Sequence, residues 1–368
     1  MRDTPISRSV GRSEPVLPYV ESGILPPSWK RFSALVRWST MAETAARREG
    51  AGRLFWERDG CMADITEVDY IWKNGELVPW AEATTHVLSH SLHYGSGVFE
   101  GIRCYKVPDE DKSFVFRLRD HMERLYRSCK IAQIDLPYSV DELMDATLEV
   151  IRANKLPACY IRPLVYRGYG VMGVDPTGAP VDVVIAVWPW DAYLGADALE
   201  NGVAVGISSW RQRSNNAIPP AVKATASYMN SILAKMEAKA HGYAEAIMLN
   251  EAGLVCEGTG ENLFIARNGV LSTPPLSDGL LEGITRDTVL CLADDLEIPA
   301  VEESLTRSDL YIADEVFMTG SAAELTPVGS VDGRVIGKPG EITRALQDRF
   351  FDLVYGRIDE YADWLTEV

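Results

Sequence analysis

The chain has 368 residues, 46% hydrophobic and 24% charged, which is ordinary for a soluble globular protein and long enough for two cores. Its net charge of -17 argues against a nucleic-acid partner, and no apolar run approaches the roughly 20 residues of a membrane span. The six cysteines are scattered without a CxxC pair, so reduced thiols in a cytoplasmic protein are expected.

Residues 1–61 are rich in Arg, Ser and Pro and weakly periodic, so they are expected to be a disordered extension or a start placed upstream of the true one. An Arg- and Ser-rich leader suits an organelle address, but Asp3, Glu14 and Glu21 speak against it. From Tyr70 the pattern becomes regular. "YIWKNGELVPW" predicts a hairpin turning at Asn74 and Gly75. "RLRDHMERLYRSCKIA" and "SVDELMDATLEVIRANK" predict amphipathic helices, the second opened by a Ser139/Glu142 capping box with Leu143, Leu148 and Ile151 on its apolar face. "ACYIRPLVYRG" and "VDVVIAVWPW" predict strands. Gly and polar residues in "AYLGADALENG" break the pattern and place a boundary near 197.

The second half opens on the strand "VAVGISSW". The helix "YMNSILAKMEAKAHG" follows, with Gly242 as its expected C-cap. Strands "EAIML", "NLFIA" and "EVFMTG" and helices "TRDTVLCLADDL" and "GEITRALQDRFFDLVYGRI" complete a mixed α/β fold in two parts, 62–196 and 197–368.

Four stretches bear chemistry. In "AIPPAVKATASYMN", Lys223 stands among prolines and small residues, as would suit an amine crowded into a pocket and used as a nucleophile on a carbonyl carbon; a solvated loop lysine reads the same way. Glu257 and Glu261 flank a Gly-Thr-Gly turn in "VCEGTGENLF", where glycine permits a ligand to approach the backbone. The turn lacks the lysine and spacing of a Walker loop. Gly283, Ile284 and Thr285 open a helix whose free N–H groups favour an anion, although Thr285 is equally suited to be an N-cap. His86, His90 and His93 have the spacing of one helical face, yet no acidic or cysteine ligands accompany them, so no metal is expected.

Taken in order, "HSLHYG", "VFEGIRCY", "HMERL", "YIRPL", "VMGV", the Lys223 loop, "CEGTGENLF", "GITRD" and "ADEVFMTGSAAELTPV" resemble the fold-type IV pyridoxal-phosphate transaminases, most closely the bacterial branched-chain amino acid aminotransferases. The likeness runs from about Val68 to near the C-terminus. It implies a small domain over 62–196, a larger one over 197–368, and pyridoxal 5'-phosphate in the cleft between them, joined to Lys223. By the same resemblance Glu257 faces the pyridine nitrogen and Tyr228 the ring hydroxyl. Arg124, Leu281, Ile284, Thr285 and Ser321 hold the rest of the cofactor. A core tyrosine, and an arginine paired with Asp120 on a helix surface, are the bland readings of Tyr228 and Arg124.

The implied substrates are L-leucine, L-isoleucine or L-valine with 2-oxoglutarate and glutamate. Tyr94, Phe99, Gly101, Met172, Val174 and Tyr193 then resemble the pocket wall. Arg162 resembles the group that meets the γ-carboxylate, with Tyr94 and Tyr193 hydroxyls. Tyr160, Ser321 and Ala322 would hold the α-carboxylate. The family also implies a homodimer with pocket residues crossing the interface, or a hexamer of three dimers. Where the family often has glycines after the lysine, this chain reads Ala224, Thr225, Ala226 and Ser227. A D-amino acid aminotransferase, an aminodeoxychorismate lyase and a non-catalytic descendant share the fold and stand as alternatives.

Overall fold

A computed structural model describes residues 65–190 and 194–368. The extension 1–61 and Tyr193 lie outside the described residues. Tyr70–Lys73 and Glu76–Pro79 form the expected hairpin, pairing Lys73 with Glu76. Its turn residues both take positive φ, 51° at Asn74 and 102° at Gly75, as a tight hairpin with the right-handed strand twist requires.

The hairpin belongs to an eight-stranded antiparallel sheet among the described residues. Its order is Leu365–Glu367, Ser113–Phe116, Ile102–Lys106, Cys159–Arg167, Val181–Trp188, Tyr70–Lys73 and Glu76–Pro79, and Gly97–Phe99 also pairs with Cys159–Arg167. Cys159–Arg167 therefore has two short neighbours along one edge, Ile102–Lys106 on Cys159, Tyr160 and Ile161, and Gly97–Phe99 on Leu164, Val165 and Tyr166. Between them the neighbour breaks at Glu100 and Gly101, opposite Pro163, which has no N–H to donate. The Glu100 N–H still reaches the Pro163 carbonyl at 2.9 Å.

Helices Leu118–Ile131 and Val140–Asn154 cover this sheet. Leu118, Met122 and Leu125 from one helix, and Leu143, Val150 and Ile151 from the other, are buried with Ile102, Ile161 and Ile185. The second helix starts on the expected capping box: the Glu142 N–H donates to Ser139 Oγ at 3.2 Å and the Ser139 N–H to the Glu142 carboxylate at 2.7 Å. The chain end departs from the sequence pattern, because Leu365–Glu367 returns to pair with Ser113–Phe116 in the first sheet.

The second sheet has nine strands among the described residues and mixes parallel and antiparallel pairs. Its order is Val255–Gly258, Glu245–Leu249, Val203–Arg211, Glu324–Val331, Glu315–Gly320, Asn262–Arg267, Val270–Thr273 and Ala300–Glu302, with Arg334–Val335 on Glu324–Val331. Val203–Arg211 and Glu245–Leu249 run parallel, so the helix Tyr228–Ala240 crosses over between them. That helix caps at His241, and Gly242 follows with φ 81°, one residue beyond the observed cap. The boundary expected near 197 falls within the short helix Ala196–Asn201.

Tyr105 and Phe116 of the first sheet share a core with Phe264 and Phe317 of the second, closed by Val289, Leu292, Leu346 and Phe350 from helices Ile284–Asp295 and Glu341–Val354. The Phe264 and Phe317 rings stack at 5.2 Å between centroids. No helix among the described residues is long and apolar enough to cross a membrane. Ser139→Ala removes the hydroxyl cap of a helix remote from the pocket, so it should cost about 1 kcal/mol in denaturant unfolding and leave catalytic rates unchanged.

Candidate active site

Residues from both sheets line a cavity of about 520 Å³. Lys223 enters it from a loop that lies on the free edge of Gly97–Phe99: the Phe99 N–H donates to the Lys223 carbonyl at 3.0 Å, and Val98 pairs with Ala224 in an isolated antiparallel bridge. Lys223 Nζ donates to Tyr228 Oη at 2.7 Å and stands 5.2 Å from the centroid of the Phe99 ring. The small residues seen in the sequence make this approach possible. A Cβ on Gly95 would lie only 2.6 Å from the Ala226 Cβ.

Val255–Gly258 delivers Glu257 to the cavity wall. Its carboxylate accepts from the Gln212 amide and, at 3.0 Å, from the Leu281 N–H. Burial pushes the Glu257 carboxyl up to about 7, held back by the Leu281 N–H, by the Arg213 and Lys223 charges and by Gln212. Asn262 Nδ2 donates to the Leu281 carbonyl at 3.0 Å and so fixes the backbone that supports Glu257. Behind the Gly-Thr-Gly turn, Thr259 Oγ1 donates to buried Glu245 at 2.7 Å, and Lys235 pairs with the same carboxylate. Burial and the Glu245 charge raise Glu261.

A second group of polar contacts centres on Arg124. The side chain is buried, and its Nε and Nη2 both donate to Glu100 at 2.8 Å while Nη1 donates to the Glu282 carbonyl at 2.6 Å. Asp120, the surface partner that helical spacing suggests, pairs with Arg117 instead. Burial alone would raise Glu100, but Arg124 and His121 hold its carboxyl well below the usual range. Burial lowers His121 against the pull of Glu100. Ile284 and Thr285 begin their helix beside this group, after Gly283 as N-cap, so Thr285 is not the cap. First-turn N–H groups have no partner within their own helix and carry the positive end of its dipole. A Cβ at Gly283 would lie 1.8 Å from Asn262 Oδ1, which leaves room for glycine alone.

Tyr160 and Arg162 face the cavity from the strand Cys159–Arg167. Arg162 Nη2 donates to Tyr160 Oη at 3.3 Å, and its guanidinium lies 4.7 Å from the Phe99 ring centroid. Gly101 admits the tyrosine, because a Cβ there would meet Tyr160 Oη at 2.0 Å. Ser321 and Ala322 follow the strand Glu315–Gly320 and complete the lining.

Most of the sequence-selected residues thus meet in one cavity. Tyr94, Met172 and Val174 do not: they are 42%, 47% and 87% exposed and lie outside its lining. The three histidines make separate local contacts. His86 packs on Tyr169, His90 bonds Ser96 Oγ and the Gly173 carbonyl, and His93 bonds the Val87 carbonyl. Sequence reasoning missed Glu100, Gln212, Arg213, Asn262 and Trp190, all at or against the cavity. Only Glu100 had a signal, as a carboxylate inside the otherwise apolar "VFEGI".

Pyridoxal 5'-phosphate fits this donor set. Anion donors, a buried carboxylate and an amine share one cavity, and those are the groups such a cofactor would need. Ser227 Oγ, Thr319 Oγ1 and Arg213 Nε belong to residues that line it and are buried polar atoms with no protein partner.

Comparison with known proteins agrees with the geometry. Residues 97–331 match the family model for amino-transferase class IV. The chain is 50% identical to the branched-chain-amino-acid aminotransferase of Escherichia coli strain K12 over 306 residues, 82% of this chain and 98% of that one. The crystal structure of an E. coli branched-chain amino acid aminotransferase superposes with TM-score 0.79 at 50% identity, covering 81% of this chain and 99% of that one. The branched-chain amino acid aminotransferase of Thermobaculum terrenum, in its PLP-bound holo-form, superposes with TM-score 0.77 at 38% identity, covering 82% and 98%.

The raised Glu257 carboxyl has a thermodynamic sign. Its value near 7 exceeds the 4.5 of the free side chain, so the folded cofactor-free protein binds the extra proton and loses stability as pH rises from about 4.5 to about 7. Glu257→Gln cannot ionise. In calorimetry of the cofactor-free proteins, the wild-type Tm should fall relative to the variant by a few degrees between about pH 5 and pH 8.

Proposed function

The chain belongs to the class IV amino-transferases and, within them, to the branched-chain-amino-acid aminotransferases, and on that premise we propose how its residues divide the reaction. The amino group of L-leucine, L-isoleucine or L-valine passes to 2-oxoglutarate, giving the branched 2-oxo acid and L-glutamate. Pyridoxal 5'-phosphate, when bound, supplies the electron sink that lets an amino acid lose its α-proton. Lys223 would hold the cofactor and, as a free amine, would carry the proton at the substrate Cα. Glu257 would keep the heterocycle nitrogen protonated, and a cation there would favour its ionised form against the burial that raises it. Tyr228 holds the ring hydroxyl. Arg124, the N–H groups of Ile284 and Thr285, and Ser321 hold the phosphate.

The substrate side must accept both an aliphatic chain and a γ-carboxylate. Phe99 offers the first an apolar face, and Arg162 offers the second a cation already oriented against Phe99 and Tyr160. Tyr160 and the Ser321 and Ala322 backbone take the α-carboxylate common to both substrates. Tyr94, Met172 and Val174 are large and exposed, as suits residues that complete the pocket of a second copy, in a homodimer or in three such dimers. Full activity in a species that sediments as a monomer would overturn this assembly. A cytoplasmic setting accords with the five cysteines among the described residues, all of them free.

The observation that carries the reading is Lys223 Nζ on Tyr228 Oη at 2.7 Å, within the cavity that also holds Glu257 and Arg124. Lys223→Ala should abolish transamination and leave no borohydride-fixed phosphopyridoxyl group on the chain. Appreciable turnover in that variant refutes the assignment. Assayed on the wild type against D-alanine and aminodeoxychorismate, L-leucine should be the better substrate, and a lead by either of the others would favour the other enzymes of this fold.

A further inference from the structure

Gly97–Phe99 uses one edge to pair with Cys159–Arg167 and presents the other to the loop that carries Lys223. Backbone contacts hold that second edge at Val98 and Phe99. The strand's approach, at Gly95 and Gly97, is held by a side chain instead. Thr225 Oγ1 lies 2.9 Å from the Gly95 carbonyl and 3.2 Å from the Gly97 carbonyl, so its single proton is shared between two backbone acceptors. The Thr225 methyl fills the remaining space, since a Cβ on Gly97 would lie 3.3 Å from Thr225 Cγ2. Thr225 stands two residues after Lys223 and itself borders the cavity. A glycine here, as the family resemblance leads one to expect, offers neither the proton nor the methyl.

We propose that the Thr225 hydroxyl is a positioning clamp: it locks the lysine loop to the strand that carries Phe99, and so sets where the Lys223 amine stands relative to the substrate wall. The clamp rests on the role given to Lys223 above. Thr225 acts through Lys223 and Phe99 and takes no part in the chemistry. Proton transfer at a substrate carbon is sensitive to small displacements of the base, whereas attachment of an aldehyde to the same amine tolerates them. Loss of the clamp should therefore slow the reaction without releasing the cofactor.

The test uses the holoenzyme and three variants. Thr225→Val replaces the hydroxyl with a methyl, Thr225→Ala removes it without adding bulk against the carbonyls, and Thr225→Ser restores it. Amide hydrogen exchange is followed on the peptide containing Phe99, whose N–H donates to the Lys223 carbonyl. The single-turnover half-reaction with L-leucine is timed in parallel. In the Val and Ala variants exchange at Phe99 should quicken by about tenfold and the limiting half-reaction rate fall by about tenfold, from loss of one hydrogen-bond donor. The half-saturating leucine concentration should stay within about twofold, and Thr225→Ser should recover both rates. Borohydride should still fix the phosphopyridoxyl group on Lys223 in every variant, which separates failure of the clamp from failure of the lysine assignment. Wild-type exchange and rate in Val and Ala overturn the clamp, as does a change in one without the other. So does a Ser variant as impaired as Ala, or loss of the cofactor adduct from the hydroxyl-free variants.

Discussion

Pro163 cannot donate a backbone hydrogen bond, and its neighbouring strand breaks opposite it at Glu100 and Gly101. The two residues at that gap serve the cavity from opposite faces of the sheet. The Glu100 side chain turns into the protein, where Arg124 and His121 fasten it. Gly101 leaves the gap into which the Tyr160 hydroxyl fits. The register is the same on both sides of the gap, Phe99 on Leu164 and Ile102 on Ile161, so alternation runs through it and puts Glu100 on the buried face with Val98 and Ile102, and Gly101 on the face with Phe99.

Electrostatics within the cavity run against the charge of the whole chain. A net charge of -17 disfavours anionic ligands at long range, so local donors must do the holding. Arg124 has five N–H donors, and three are committed to Glu100 and the Glu282 carbonyl, leaving about two for an anion. Glu100 also offsets much of the guanidinium charge. What remains is a rigid pair of donors rather than a bare cation, with the first-turn N–H groups of Ile284–Asp295 supplying the rest. Rigidity suits a cofactor that stays in place while substrates come and go.

Much of this was legible in the residues and some was not. Asn74 and Gly75 announced their turn because few other residues accept positive φ, and Ser139 with Glu142 announced a helix start because both partners lie within one turn. The order of motifs located the lysine, the glutamate and the helix start. Glu100, Gln212 and Arg213 escaped because their roles come from partners distant in sequence: Arg124 for the first, Glu257 for the second and the Ser227 carbonyl for the third. Tyr94, Met172 and Val174 were selected by resemblance alone and sit away from the cavity of their own chain. Thr225 drew notice only as a departure from pattern, and its two carbonyl partners appear once the loop and strand are seen side by side.

The pairing of Leu365–Glu367 with Ser113–Phe116 ties the last strand to one of the earliest. While the protein is being synthesised, Ser113–Phe116 emerges long before its outer partner exists, and that edge stays open until Leu365–Glu367 has been made. The first sheet is thus finished only after every strand of the second has been made, and a nascent chain released before Leu365–Glu367 leaves the ribosome carries an adhesive border.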